Sequence, residues 1–312
     1  MSIAESGEFG LIGRIVARLG DASSALLGPG DDAAVVAAPD GRVVASTDVL
    51  VEGRHFRRDW CSAADVGHRA AGANLADIAA MGAAPTALLV ALSAPTDLEV
   101  SWAEDLAGGL AEEAALVGAS VVGGDVSAGP TLTIAVTALG DLRGRAPVVR
   151  TGAQPGDVLA LAGRTGWAAA GYAILSRGFR TPKVFVEAYR RPLVPYEAGT
   201  AAAAAGATAM IDVSDGLLQD VGHIAEDSVV GIDIRKDTFE IHAQMRDAAG
   251  ALGVDPYLWM LAGGDDHALA ATFPPDTALP PGFTVIGSVH EGTGVTVDRM
   301  AWQGGTGWDH FR

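Results

Sequence analysis

Residues 28–56 read GPGDDAAVVAAPDGRVVASTDVLVEGRHF. Asp31 and Asp32 follow a Gly-Pro-Gly turn and lead into the apolar run Ala33 to Ala38. Pro39-Asp40-Gly41 is turn chemistry, and Arg42 to Leu50 reads as a returning strand that carries Ser46, Thr47 and Asp48. Such a hairpin brings Asp32 near Asp48. Two carboxylates with hydroxyls at that distance repel one another unless a cation sits between them, and an all-oxygen ligand set suits magnesium. Either piece alone reads as ordinary turn and cap residues. The pair, together with acids further along, favours the cation.

Working outward, the 312 residues are long for one core and comfortable for two domains. The 38 Asp and Glu against 21 Lys and Arg give a formal charge of −17, which disfavours binding to nucleic acid or to anionic lipid. Small anions remain admissible at metals and backbone amides. The lysines are Lys183 and Lys236, neither preceded by glycine, so a Walker A loop is excluded, and no GxGxxG occurs. The single cysteine, Cys61, excludes an internal disulfide and a thiolate metal site. MSIAESGEFG lacks the blocks of a signal peptide, which points to a cytoplasmic protein. The uncharged run Ile78 to Thr96 is interrupted by Gly82, Pro85 and Pro95 and reads as helix end, turn and buried strand.

Along the chain, Phe9 to Leu19 has helical spacing, and Ser62 is a plausible N-cap for a helix to about Met81 that carries Asn74 and Asp77 within one turn. Thr86 to Leu92 reads as a strand, Val100 to Val117 as a helix, and Ser120 to Val122 as a short strand running into Gly123-Gly124-Asp125. Thr131 to Leu139 completes a mixed sheet. Asp141 to Arg150 is the expected domain boundary. Beyond it strands are expected at Asp157 to Ala162, Ala207 to Val213, Val229 to Ile234, His267 to Phe273 and Phe283 to Val289, with helices between them. The alternation says α/β or α+β in both halves.

Asp77, Asp125, Asp212, Asp215 and Asp265 stand at expected strand ends or on a helix face beside small or apolar residues, where a lone ionised carboxylate is costly. Several divalent cations around a polyphosphate account for so many of them, and the Gly-Gly pairs before Asp125 and Asp265 let backbone amides approach phosphate oxygens. Arg150 reads equally as a phosphate fork or a solvated linker residue. His55 reads as an anion donor or a surface residue, and Trp308 as a stacking platform or a residue that closes the core. No Ser-His-Asp spacing is present, since Ser214 has Asp near it on both sides.

These motifs resemble the thiamine-monophosphate kinase family, within the superfamily of aminoimidazole ribonucleotide synthetase. The resemblance runs from GEFGLI at Gly7 through GDDAAVV, STDVLVEGRHF, NLADIAAMGA, VVGGDVS, RTGAQPGD, DVSDGLLQD and LAGGDDHAL to GWDHF. It implies a two-domain synthetase-like α/β (α+β) fold. Residues 1–145 would bind ATP and magnesium and form a barrel with a second copy in a homodimer, and residues 146–312 would form an α/β domain closing the active site. The implied reaction moves the ATP γ-phosphoryl to thiamine monophosphate. Carried over by motif, Asp32, Ser46, Thr47, Asp48, Asp77, Asp125, Asp212 and Asp215 resemble the magnesium set. Gly124, Asp125, Arg150 and Ser214 resemble ATP contacts, and His55, Asp265 and Trp308 substrate contacts. Two positions depart: Asp265-Asp266-His267 stands where the family usually has Glu-Asp-Tyr, and Ala107 where an aromatic often lies near the adenine.

The chemistry agrees with that reaction, because an acceptor phosphate with a second pKa of about 6 is already ionised and needs charge cancellation more than a general base. Selenophosphate synthetases carry a reactive cysteine or selenocysteine near the N-terminus, and the first 60 residues here hold none. The hydrogenase-maturation relatives end in a cysteine-bearing tail, unlike His310-Phe311-Arg312. Aminoimidazole ribonucleotide synthetase itself fits the STDVLVEGRHF block less well, and a magnesium-nucleotide sensor without turnover is the rival from another class.

Overall fold

A computed structural model of the chain describes residues 1–19, 23–27 and 34–308, so Asp31 and Asp32 lie outside the described residues. The chain divides into two compact units, Met1–Ile78 with Ala83–Arg145, and Ala79–Gly82 with Ala146–Arg312.

The first unit contains α1 (Ile3–Ser6), α2 (Glu8–Leu19), β1 (Ala25–Leu27), β2 (Val35–Val36), β3 (Val44–Val51), α3 (Ala63–Ala80, its last residues in the second unit), β4 (Ala84–Ala94), α4 (Val100–Ala115), β5 (Ser120–Ala128) and β6 (Thr133–Asp141). Four strands form one sheet in the order β3-β6-β4-β5. Only the β4–β5 pair in it is parallel. Among the described residues, no hairpin joins 34–38 to 42–50. β2 is two residues long and pairs with β1, whereas β3 pairs with β6 from Val44 opposite Gly140 to Val51 opposite Thr133. An eight-residue strand needs a partner of matching length, and β6 supplies it while aligning Leu50 with Ile134 on the buried face.

β5 is also longer than expected. Gly123, Gly124 and Asp125 lie inside it, opposite Leu89, Val90 and Ala91, and a Cβ on Gly124 would run into the Val90 carbonyl. That glycine serves the close approach of two strands. α3 starts on a reciprocal cap, in which the Asp65 N–H donates to Ser62 Oγ at 3.2 Å and the Ser62 N–H to Asp65 Oδ2 at 3.0 Å. α3 and α4 then meet backbone to backbone: a Cβ on Gly67 would strike Leu106 and Leu110, and one on Gly109 would strike Ala64.

The second unit contains β7 (Val158–Ala162), α5 (Trp167–Ser176), α6 (Lys183–Arg190), α7 (Tyr196–Ala205), β8 (Ala209–Val213), α8 (Leu217–Ser228), β9 (Gly231–Ile234), α9 (Ala243–Leu252), α10 (Pro256–Ala262), β10 (Ala268–Phe273), β11 (Phe283–His290) and β12 (Gly294–Val297). Its six-stranded sheet has the order β12-β9-β11-β7-β10-β8, antiparallel except for β12 against β9. β7, β8 and β10 are almost wholly buried and mostly apolar, broken by Asp212 in β8 and Thr272 in β10, and α8 packs on them through Leu217, Val221 and Ile224. Among the described residues, no helix is long and apolar enough to cross a membrane. The run from Ile78 resolves into the end of α3, a turn at Gly82 with φ of +71°, and β4.

The α3–α4 contact yields a stability test. Gly109→Ala should force the two helices apart and cost about 1–3 kcal/mol, read as a lowered midpoint in thermal or urea denaturation, whereas Gly118→Ala, where a Cβ meets open space but φ is +73°, should cost about 1 kcal/mol through the backbone alone.

Candidate active site

In the first unit, alternation along β3 turns Ser46, Asp48 and Leu50 toward α3 and leaves Ala45, Thr47 and Val49 on the more exposed face. Ser46 Oγ donates to Asp77 Oδ2 at 2.6 Å. β3 is a sheet edge, and the outward N–H of Asp48 is taken by Asn74 Oδ1 at 3.0 Å. Asn74 is fully buried and its own Nδ2 donates to the Ala70 carbonyl at 2.9 Å, which fixes the amide's orientation. Ser46, Asp48 and Asp77 are thus brought together, with Asn74 and Asp77 one turn apart on α3. Asn74 lay on the expected helix, but only the structure shows that it caps an open strand edge.

Thr47 and Asp125 are placed elsewhere. Thr47 Oγ1 donates to the Val136 carbonyl at 2.9 Å and accepts from Thr137 Oγ1 at 3.1 Å. The register runs Val49, Ala135, Ala91, Asp125 across the sheet, so Asp125 shares the face of Thr47. Gly124 lies in the same row as Asp48 but three strands away, ~14 Å at the usual strand spacing. His55 belongs to the turn after β3, where the Val51 N–H donates to its Nδ1 at 2.9 Å. A neutral ring in that arrangement carries its proton on Nε2.

In the second unit, β8 delivers Asp212 and is followed by Ser214 and Asp215, and α8 begins at Leu217. Asp220, on the first turn of α8, accepts from the N–H groups of Asp215 at 3.1 Å and Gly216 at 3.0 Å. Burial pushes its pKa up to about 7, and the charges of Asp212 and Asp215 push the same way. The loop before β10 lies alongside: Asp265 N–H donates to the Ser214 carbonyl at 2.8 Å and His267 N–H to the Val213 carbonyl at 3.1 Å. His267 Nδ1 is 3.2 Å from Asp212 Oδ2. Asp265 and His267 both have left-handed backbone, φ +67° and +51°. Between them the carboxylate of Asp266 accepts from Trp167 N–H at 2.9 Å and Ala168 N–H at 3.0 Å at the start of α5. Burial lifts Asp266 to about 7 against the opposing pull of those N–H groups and of Arg164.

Asp212, Ser214, Asp215 and Asp265 are therefore neighbours. Trp308 joins them, its N–H donating to the Asp215 carbonyl at 2.9 Å and its carbonyl accepting from Gln219 Nε2 at 3.0 Å. Its side chain is 50% exposed, so it does not close the core. Arg150 stands apart within the unit: its carbonyl accepts from Ser228 Oγ at 3.2 Å, at the far end of α8, roughly 18 Å from that helix's start. Asp220, Asp266 and His267 were missed as site residues, although DVSDGLLQD and GGDDHAL contain them, because only the fold shows which carboxylates turn inward. The donor sets Ser46, Asp48, Asp77 and Asp212, Asp215 are all oxygen and suit a hard cation. Among the described residues, no three His, Cys, Asp or Glu side chains form a ready-made metal cage.

Oxygen-rich acidic donor sets, one in each unit of a mixed α/β chain, mark a class, and residues 30–142 match the family model "AIR synthase related protein, N-terminal domain". A thiamine-monophosphate kinase of Mycobacterium tuberculosis (strain CDC 1551 / Oshkosh) is 48% identical over 315 residues, covering 99% of this chain and 93% of that protein. The crystal structure of thiamine-monophosphate kinase from Stenotrophomonas maltophilia K279a superposes with a TM-score of 0.83 at 34% identity, covering 94% of this chain and 96% of that one. AaThiL complexed with AMPPCP and TMP gives 0.81 at 32% identity, covering 100% and 99%. The chain belongs to the thiamine-monophosphate kinase family.

Asp266 sets a pH dependence. Its folded value of about 7 lies above the ordinary 3.8, so between these values the folded chain retains a proton that the unfolded chain releases. Stability therefore falls as pH rises through that window, and above about 7 the loss is complete. Asp266→Asn should flatten this part of the profile, read by thermal denaturation of metal-free protein from pH 5 to 8. An unchanged slope would contradict the assignment.

Proposed function

We propose that the chain transfers the γ-phosphoryl group of ATP to thiamine monophosphate, giving thiamine diphosphate and ADP, as a step of thiamine diphosphate biosynthesis. The observation that carries this is kinship across the whole length, 48% identity over 99% of the chain with a thiamine-monophosphate kinase. The AaThiL structure with AMPPCP and TMP bound supports the same pair of substrates here.

Magnesium supplies the charge cancellation that brings two anions into line. We assign separate ions to Ser46, Asp48 and Asp77 in the first unit and to Asp212 and Asp215 in the second; Thr47 and Asp125, on the other face of the first sheet, would hold further ions, and Asp32 is assigned to the same class of ligands. Gly124, Asp125, Arg150 and Ser214 contact ATP in this reading. His55, Asp265 and Trp308 contact thiamine monophosphate; the exposed indole of Trp308 and the exposed position of Asp265 fit that role. No side chain needs to act as an obligatory base, because the acceptor phosphate is largely ionised at neutral pH, its second pKa being about 6. We assign the protein to the cytoplasm and to a homodimer. The sheet face bearing Val49 and Leu89, 47% and 38% exposed, supports pairing with a second copy.

Phosphorus NMR of the protein with magnesium-ATP and thiamine monophosphate should show thiamine diphosphate and ADP, with no product from free thiamine. Asp48→Asn should lower turnover on the order of 10²-fold or more while leaving the fold intact; a variant retaining most of its activity at ordinary magnesium would sink the assignment. His55→Gln should raise KM for thiamine monophosphate about tenfold and leave the pH profile of kcat unchanged, since the ring serves as a donor and not as a base.

A further inference from the structure

We propose that His267 is a positioning residue of the magnesium site, its Nδ1 donating to Oδ2 of Asp212 so that the other carboxylate oxygen is presented to the ion. This rests on the assignment of Asp212 as a ligand made above. Both residues are buried, at 8% and 6% exposure, and the two atoms are 3.2 Å apart. Against a carboxylate, the ring nitrogen is the donor. The backbone is organised to hold the ring there. His267 keeps φ at +51°, a conformation costly for most side chains, while its N–H is bound to Val213 and the next residue, Ala268, enters register opposite Val213. On its other side Asp266 is clamped by two N–H groups of α5. The backbone that carries the imidazole is thus held against β8 and at the entry to β10, beside a residue tied to α5, and Nδ1 of the ring lies against the ligand carboxylate.

Carboxylates that bind metal are themselves held by a second set of hydrogen bonds, and removing such a partner typically weakens metal binding about 10–100-fold. Here the partner fixes which Asp212 oxygen faces the ion. His267→Gly removes the donor and suits the positive φ. His267→Asn restores an N–H bonded to Cγ, where Nδ1 stands in histidine, in a residue that also tolerates the left-handed region.

The test is titration of the full chain with Mn2+, without nucleotide, followed by electron paramagnetic resonance, with circular dichroism as the check on folding. His267→Gly should bind the Asp212-dependent ion about 10–100-fold more weakly, and His267→Asn close to the wild-type value. Adding His267→Gly to Asp212→Asn should cause no further loss, since both remove the same interaction. A folded His267→Gly variant that binds Mn2+ as tightly as wild type, or a folded His267→Asn variant as weak as His267→Gly, overturns the proposal. A wild-type chain that binds no Mn2+ overturns the magnesium assignment and this proposal together, whereas intact wild-type binding with an indifferent His267→Gly overturns His267 alone.

Discussion

Asp212 lies near the end of a buried strand and Asp215 just beyond it, and Asp220 faces them from the first turn of the helix that follows. Two hydrogen bonds from backbone N–H groups to a carboxylate contribute roughly 1.5–3 kcal/mol each, whereas removing the charge from water costs several kcal/mol. At Asp220 desolvation wins, with two further acids adding to it, and the group holds its proton to about 7. Asp266 repeats the pattern at the start of α5. Both inward acids are met chiefly by backbone dipoles. Dipoles orient a carboxylate without cancelling the charge of the acids around it, so the strand end stays attractive to a divalent ion, whose pull on one unit charge at 4 Å is about 8 kcal/mol at an effective dielectric constant of 20.

The first unit solves a different problem by similar means. β3 is a sheet edge, and an open edge exposes backbone N–H groups that invite other strands. Asn74 closes the edge at Asp48, and its amide is locked by the Ala70 carbonyl, so one buried side chain both protects the strand and sets the height of α3 over it. The same registration brings Asp77 onto Ser46. The spacing of Asn74 and Asp77 along α3 is therefore tied to the alternation of Ser46 and Asp48 along β3, a match of a 3.6-residue period to a two-residue one.

Elements governed by local chemistry were legible in the sequence. The Ser62 cap, the helix expected from Val100 to Val117 and found from Val100 to Ala115, and the apolar run into Asp212 lie within a residue or two of expectation, because each depends on neighbours in sequence. Strand pairing was not legible. Turn chemistry at Pro39-Asp40-Gly41 argues for a hairpin, but β3 finds its partner some ninety residues later, where length and burial match. Asp125 was expected after a short strand and lies within a long one, because the glycines before it serve strand packing. β12, which pairs in parallel with β9, carries no signal of its own beyond Val295 and Val297. Asp220 and Asp266 look like any helix-start or loop acid until burial distinguishes them.

The turn from Gly263 to His267 shows how one constraint can direct two side chains. A Cβ on Gly264 would strike the Ser214 carbonyl, so the chain passes there as bare backbone, tight against the loop that carries Asp215. The two residues flanking Asp266 then take left-handed conformations, which aspartate and histidine tolerate better than most side chains. Of the three, Asp265 is exposed, Asp266 turns inward to α5, and His267 turns to Asp212. Relative to glutamate, Asp265 is shorter by one methylene, about 1.5 Å, yet a short polar side chain is what a positive φ favours. The backbone conformation that aims His267 at Asp212 therefore also selects aspartate at the neighbouring exposed position, and links the geometry of the acidic strand end to the reach of Asp265.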